Sequence, residues 1–322
     1  MTQADATDIE TPTGKGAEDE NFPVGSFLLP RALRPHVATY YALARATDDI
    51  ADNGDLSPDD KLARLDRFEK ALTGEIPDDP ALEKSYAVLR SGAETGVPVR
   101  HALDLIQAFK QDAVKLRYDS WDDLMGYCNL SASPVGRFLL DLHGEDPVKY
   151  LGSDALCNTL QVLNHLQDLV DDYRALDRVY LPGDWMASAG VTVADLDRDA
   201  ATPGLRRVID QCLDGCEALM QLARPLPQQL SSRRLAMETA VIVRLADRLM
   251  VLLRKGDPVA GRVALGKLDF VGCGLQGMLA GLPARTASVI RASRRATISA
   301  TSSISTARSW VRKQIPDPSA RT

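Results

Sequence analysis

The chain has 322 residues, 45% hydrophobic and 25% charged, with a formal net charge of −6. That composition suits a globular protein and excludes a chain that binds nucleic acid through a broadly basic surface. The length admits two domains or one large helical one.

In chain order, residues 1–20 are acidic, lack an apolar core and are expected to be disordered, with no signal peptide. Apolar periodicity then predicts helices over 34–52, 58–73, 79–94, 99–114, 119–143, 153–176, 203–222, 231–255 and 262–281. The breaks are marked by "TGEIPDDP", "TGVP", "HGEDP" and "YLPGDW". No stretch alternates with period two between hairpin signals, so no strand is expected. The fold class predicted is all-α, a single helical bundle over 21–282 with a central apolar cavity.

The first helix carries "YYALARATDDIADNG", in which Tyr41, Arg45, Asp48 and Asp52 fall at offsets 0, 4, 7 and 11, one stripe along the axis. Asp49 adds a carboxylate beside the pair. In the helix predicted over 119–143, "SASPVG" combines small residues with a proline. It reads as a kink with close helix packing, as room for a ligand beside the backbone, or as both. The next helix repeats the acidic pattern: Gln161, Asn164, Asp168 and Asp172 fall at offsets 0, 3, 7 and 11, with Asp171 beside them.

Carboxylates one turn apart repel each other unless a cation lies between them. Two such pairs, made of oxygen ligands alone, point to a hard divalent ion, Mg²⁺ above all, with its remaining ligands from water and a phosphate group. Arg45 and Arg178 could pair directly with the same phosphate. A di-iron centre would need Glu-x-x-His, and none of His36, His101, His143 and His165 has a glutamate three residues earlier. No G-x-S-x-G elbow supports a serine hydrolase. His165, one step off the second stripe, reads as packing or as support behind the ligands.

Further on, Cys212 and Cys216 are spaced i, i+4 but have no second Cys/His pair nearby, so packing is expected. The apolar run "FVGCGLQGMLAGL" has 13 residues, too few to span a bilayer. Residues 285–322 hold eight Lys or Arg against the single acid Asp317. They read as a solvated tail or as a basic amphipathic helix on a membrane surface.

At these motifs the chain resembles the head-to-head trans-prenyl synthases, the squalene and phytoene synthase family. "YALARATDDIAD" looks like its first aspartate-rich motif, "NHLQDLVDDYRALDRVYLP" like its second, and "YCNLSASPVGRFLLDLHG" like its central active-site helix. "ENFPVGSFLLP" and "SASPVGR" resemble most closely the bacterial hydroxysqualene synthase branch of hopanoid biosynthesis. The resemblance implies Mg²⁺-dependent conversion of presqualene diphosphate and water to hydroxysqualene and diphosphate. Head-to-head coupling of farnesyl or related prenyl diphosphates is the alternative, and a non-catalytic prenyl-lipid-binding subunit a further one.

By the same resemblance Asp48, Asp49, Asp52, Asp168 and Asp172 hold two or three Mg²⁺ ions. Tyr41, Arg45, Tyr127, Gln161, Asn164 and Arg178 form the catalytic set. Ser26, Phe27, Ser131, Val135, Gly136 and Tyr180 bind substrate. Where coupling relatives carry a serine after the entry Phe, this chain has Phe22-Pro23, which weakens the case for a second diphosphate site. No tyrosine follows Tyr180, so Arg262 and Lys267 are the diphosphate partners expected from the later helices. No NADPH and no nucleic acid are expected. The expected location is cytoplasmic. Peripheral contact with the inner face of the membrane, and association with neighbouring squalene-pathway enzymes, are left open.

Overall fold

A computed structural model describes residues 9–10, 29–266, 268–270 and 273. All of them belong to the first of the chain's two units, Met1–Gly281. Ser26, Phe27, Lys267, the Phe22-Pro23 entry, most of the helix expected over 262–281 and the basic tail lie outside the described residues.

The chain begins with α1 (Arg34–Asp52), α2 (Pro58–Thr73), α3 (Glu83–Thr95) and α4 (Arg100–Asp112). Their limits follow from local chemistry. Ser57 caps α2 by accepting from the Asp60 N–H. Gly74 and Gly96 close α2 and α3 at φ 82° and 77°, a left-handed conformation glycine adopts at no steric cost. Pro80 starts a short 3₁₀ turn over Pro80–Leu82, so α3 proper begins later than the periodicity suggested. Leu43, Ile50, Leu65, Phe68, Val88 and Ile106 interlock these four helices in one apolar cluster.

Next come β1 (Arg117–Tyr118), α5 (Trp121–Ser131), α6 (Ser133–Leu142), α7 (Tyr150–Gln167), α8 (Leu169–Leu176) and β2 (Val179–Pro182). They are followed by α9 (Gly183–Ser188), α10 (Pro203–Ala223), α11 (Leu226–Gln229) and α12 (Arg233–Lys255). Helix α7 is the central member and packs against α5, α6, α10 and α12. Among the described residues, no helix is long and apolar enough to cross a membrane.

Three expectations are corrected. The helix predicted over 119–143 is two helices, broken at Ala132 (φ −119°, ψ −49°) just before Pro134, which has no N–H to continue the ladder. The helix predicted over 153–176 is broken at Asp168 (φ −99°, ψ 12°). Strands are present after all: β1 pairs in parallel with β2, Arg117 opposite Val179 and Tyr118 opposite Pro182, with an irregularity between. Segments this short carry no periodic signal. Their pairing nevertheless sets the chain just after α4 beside the chain just after α8.

Candidate diphosphate and metal site

The first acidic stripe keeps its predicted register on α1. Arg45 bonds Asp48 Oδ2 at 3.0 Å and Asp49 Oδ1 at 2.5 Å. Asp49 is buried, whereas Asp48 keeps 34% of its side chain open. Partial burial, then the neighbouring Asp52 charge, push Asp48 up to about 8, against the pull of Arg45. The Asp52 charge adds to the effect of burial, and Arg45 offsets the two only in part.

The second stripe does not run along one straight helix. The Asp168 N–H still bonds Asn164 O at 2.9 Å and the Asp172 N–H bonds Asp168 O at 2.7 Å, so spacing survives across the break. Asp168 meets Arg262 at 2.8 Å, and Asp172 lies 3.9 Å from His165 Nδ1. Arg262, half exposed, is thus tied to the second stripe as a cation from beyond α12. Asn164 and Gln161 are half-buried on α7, the latter 3.2 Å from His165 Nε2. Asp171 is exposed.

Arg178 brings a cation from the chain after the second stripe to the first. It follows α8, is itself buried, and bonds Asp52 Oδ1 at 2.6 Å and Ala51 O at 2.9 Å. Its Nε is buried without a hydrogen-bond partner. Lys61 of α2 reaches the same carbonyl of Ala51 at 2.9 Å. Partial burial, then the Arg178 charge, lower its pKa. Behind them stands Asp112, the last residue of α4, 5% exposed. It accepts from Tyr127 at 2.7 Å and from Tyr180 at 3.3 Å. Burial pushes it up to about 7, held back by Arg178 and by the Tyr127 hydroxyl. Tyr180 stacks on His165 with ring centroids 3.5 Å apart, and burial holds that imidazole below its usual pKa.

Sequence reasoning missed Asp112 and Lys61. Asp112 did leave a signal, since Leu105, Ala108 and Asp112 form one buried stripe of α4 and an acid closes it. Lys61 left none, being one lysine in a polar first turn.

Beside the acidic stripes lies an apolar cavity of about 360 Å³, a size suited to a small-molecule ligand. Tyr41, one turn before Arg45, lines it, as does Leu160, next to Gln161. Ser131, Val135 and Gly136 line it too, but Ala132 and Ser133 do not. Ser133 is spent on packing, donating to Asn158 Oδ1 at 2.9 Å. Gly136 has a double use. A Cβ there would strike Ser153 Oγ and come within 2.6 Å of Cys157 Sγ, so its absence lets α6 and α7 touch.

Cys212 and Cys216 are buried thiols, as packing required. Among the described residues, no three His, Cys, Asp or Glu side chains converge as a preformed metal centre. The donors are instead held by Arg45, Arg178 and Arg262. Their chemistry still fits a hard cation: Asp48, Asp52, Asp168 and Asp172 offer carboxylate oxygens, and Asn164 and Gln161 amide oxygens.

Residues 16–269 match the family model described as squalene/phytoene synthase. The hydroxysqualene synthase of Rhodopseudomonas palustris is 42% identical over 262 residues, 81% of this chain and 89% of that protein. The hydroxysqualene synthase of Zymomonas mobilis is 42% identical over 261 residues, 81% of this chain and 87% of that one. A crystal structure of a squalene synthase from Alicyclobacillus acidocaldarius superposes with TM-score 0.65 at 34% identity, covering 72% of this chain and 87% of that chain. A dehydrosqualene synthase structure shares the fold, with TM-score 0.67 at 20% identity over 81% of this chain and 92% of that chain.

Proposed function

This chain belongs to the squalene/phytoene synthase family, and we infer that it is a hydroxysqualene synthase, converting presqualene diphosphate and water to hydroxysqualene and diphosphate. The observation that carries this reading is a pair of acidic stripes, the first paired with Arg45 and Arg178 and the second with Arg262, beside an apolar cavity. Hydrocarbon suits the cavity, and diphosphate suits the charged end.

In the reaction, the C–O bond to diphosphate breaks with its electron pair going to the leaving group, and a carbocation remains. Asp48, Asp52, Asp168 and Asp172, with Asn164 and Gln161, are the proposed holders of two or three Mg²⁺ ions. Such ions, when bound, neutralise the charge that develops on diphosphate. Arg45, Arg178 and Arg262 are the cations available to the phosphate oxygens, with Lys61 close behind. Asp49, buried against Arg45, serves to orient that guanidinium. Asp112 fixes the Tyr127 and Tyr180 hydroxyls, so neither ring rotates as the substrate arrives. The apolar wall, including Val135 and the surface opened at Gly136, keeps bulk water from the cation.

The test is a product assay. Purified protein is given presqualene diphosphate or farnesyl diphosphate with Mg²⁺, with and without NADPH, in ¹⁸O-labelled water. A C30 alcohol carrying ¹⁸O, formed from presqualene diphosphate and indifferent to NADPH, is expected. Squalene that appears only with NADPH, or efficient coupling of farnesyl diphosphate alone, would overturn the assignment and leave the family membership standing.

A further inference from the structure

One charged group sits where the cavity should be hydrocarbon. Glu238 on α12 is 8% exposed and lines the cavity together with Thr239, 6% exposed. Among the described residues of the wall it is the one carboxylate; the other polar groups are hydroxyls, such as Ser131 and Ser153, and the Cys157 thiol. Its position makes this notable. Leu235, Glu238, Thr239 and Ile242 fall at offsets 0, 3, 4 and 7, the cavity-facing stripe of α12. An aliphatic residue at 238 would complete that stripe, and a carboxylate stands there instead. The Ser131 hydroxyl on the same cavity is buried without a hydrogen-bond partner. A water entering the cavity would satisfy it.

We propose that Glu238 is the general base that holds the attacking water and takes its proton. This rests on the hydroxysqualene synthase reading, which requires one water to reach a carbocation in a cavity that otherwise excludes it. The step balances. A lone pair on the water oxygen forms the new C–O bond, a proton passes from that oxygen to the Glu238 carboxylate, and a neutral alcohol and a neutral carboxylic acid remain. The proton leaves to solvent on product release, and no oxidant or reductant takes part. The same negative charge favours a cation beside it. Without the base, the cation's competing exit is loss of a proton from an adjacent carbon to the released diphosphate, giving a C30 hydrocarbon in place of the alcohol.

The experiment compares wild type, Glu238→Gln and Glu238→Asp on presqualene diphosphate with Mg²⁺ in ¹⁸O-labelled water. It measures diphosphate release and the partition between alcohol and hydrocarbon, with thermal melts alongside. In E238Q, diphosphate release should continue near the wild-type rate while the alcohol fraction falls by about tenfold or more. E238D, which keeps the carboxylate, should recover part of the alcohol. It also supplies the readout if E238Q does not fold, since an alcohol fraction below that of wild type is expected there and an unchanged one overturns the proposal. An unchanged alcohol fraction in E238Q overturns the proposal. So does a loss of turnover with the partition unchanged, which would put Glu238 in ionisation or packing. Wild type that releases diphosphate without forming any alcohol would instead sink the functional reading itself.

Discussion

Asp48 and Asp112 show how much electrostatic tension the site stores. Asp48 sits among acids with Arg45 as partial relief, and Asp112 is buried behind it between two tyrosines. Asp48→Asn or Asp168→Asn removes a negative charge at constant shape. Turnover at saturating Mg²⁺ should fall by about 10²–10³-fold, the usual loss of one electrostatic contact to developing charge. The thermal midpoint of the metal-free protein should hold or rise, because like-charge repulsion is relieved. Near-normal turnover in either variant would contradict the metal assignment. A pH effect follows from the same residues. Both carboxyls are raised from 3.8, to about 8 for Asp48 and about 7 for Asp112. Over that interval the folded chain holds protons that the unfolded chain would release, so stability drops as pH rises. The melting temperature of chelator-treated protein should therefore decline from about pH 5 to about pH 8 and level off above. Asp112→Asn should flatten part of that decline, and added Mg²⁺ should restore stability most at the alkaline end. A flat profile for the metal-free wild type would contradict the buried-carboxylate account.

At the scale of elements, the two helix breaks do the positioning. Ending α5 at Ser131 and restarting α6 with Pro134 in its first turn puts Ser131, Val135 and Gly136 on the cavity while Ser133 bonds Asn158. Interrupting α7 at Asp168 lets α8 diverge, after which the left-handed Asp177 (φ 52°) turns the chain so that Arg178 meets Asp52. The α6–α7 contact depends on a missing side chain. Gly136→Ala should lower stability by about 1–3 kcal/mol in urea unfolding, the cost of overpacking a close helix contact. Its activity should fall as well, since the displaced helix lines the cavity. An alanine variant as stable as wild type would show that Ser153 and Cys157 move aside freely.

For the molecule as a whole, the described residues belong to the first of the chain's two units, Met1–Gly281. Its elements run from α1 to α12, and the described cavity-lining residues lie on them or, for Leu29, just before α1. The basic composition of residues 285–322 offers little apolar surface to bury. We propose that residues 283–322 are a tail separate from the catalytic domain. A chain ending at residue 282 should melt as a single transition near the full-length value and turn over detergent-dispersed substrate normally. If the tail binds membrane, the shortened protein should lose attachment to anionic vesicles, most visibly at low salt. Loss of the melting transition would move the domain boundary toward the C-terminus.

The all-α class, the limits of α1 and α2 and the spacing of both acidic stripes were legible in the chain. Each is written locally, in apolar periodicity, caps such as Ser57 and carboxylates one turn apart. The pairing of β1 with β2 was not, because two residues against four leave no period to read. Nor was the role of Asp112, whose partners come from α5 and β2, or the reach of Arg178 across 126 positions to Asp52. Whether a small residue such as Ser133 makes room for ligand or for a neighbouring helix was likewise undecided by its identity. Glu238 had no sequence neighbour to mark it, and only the packing of α12 beside α7 put its carboxylate on an apolar wall. The sequence by itself determined which groups could bear the chemistry, since charge, size and helical spacing are properties of the residues. Tertiary structure alone decided which of them meet, because burial and long-range pairing depend on how distant segments close on one another.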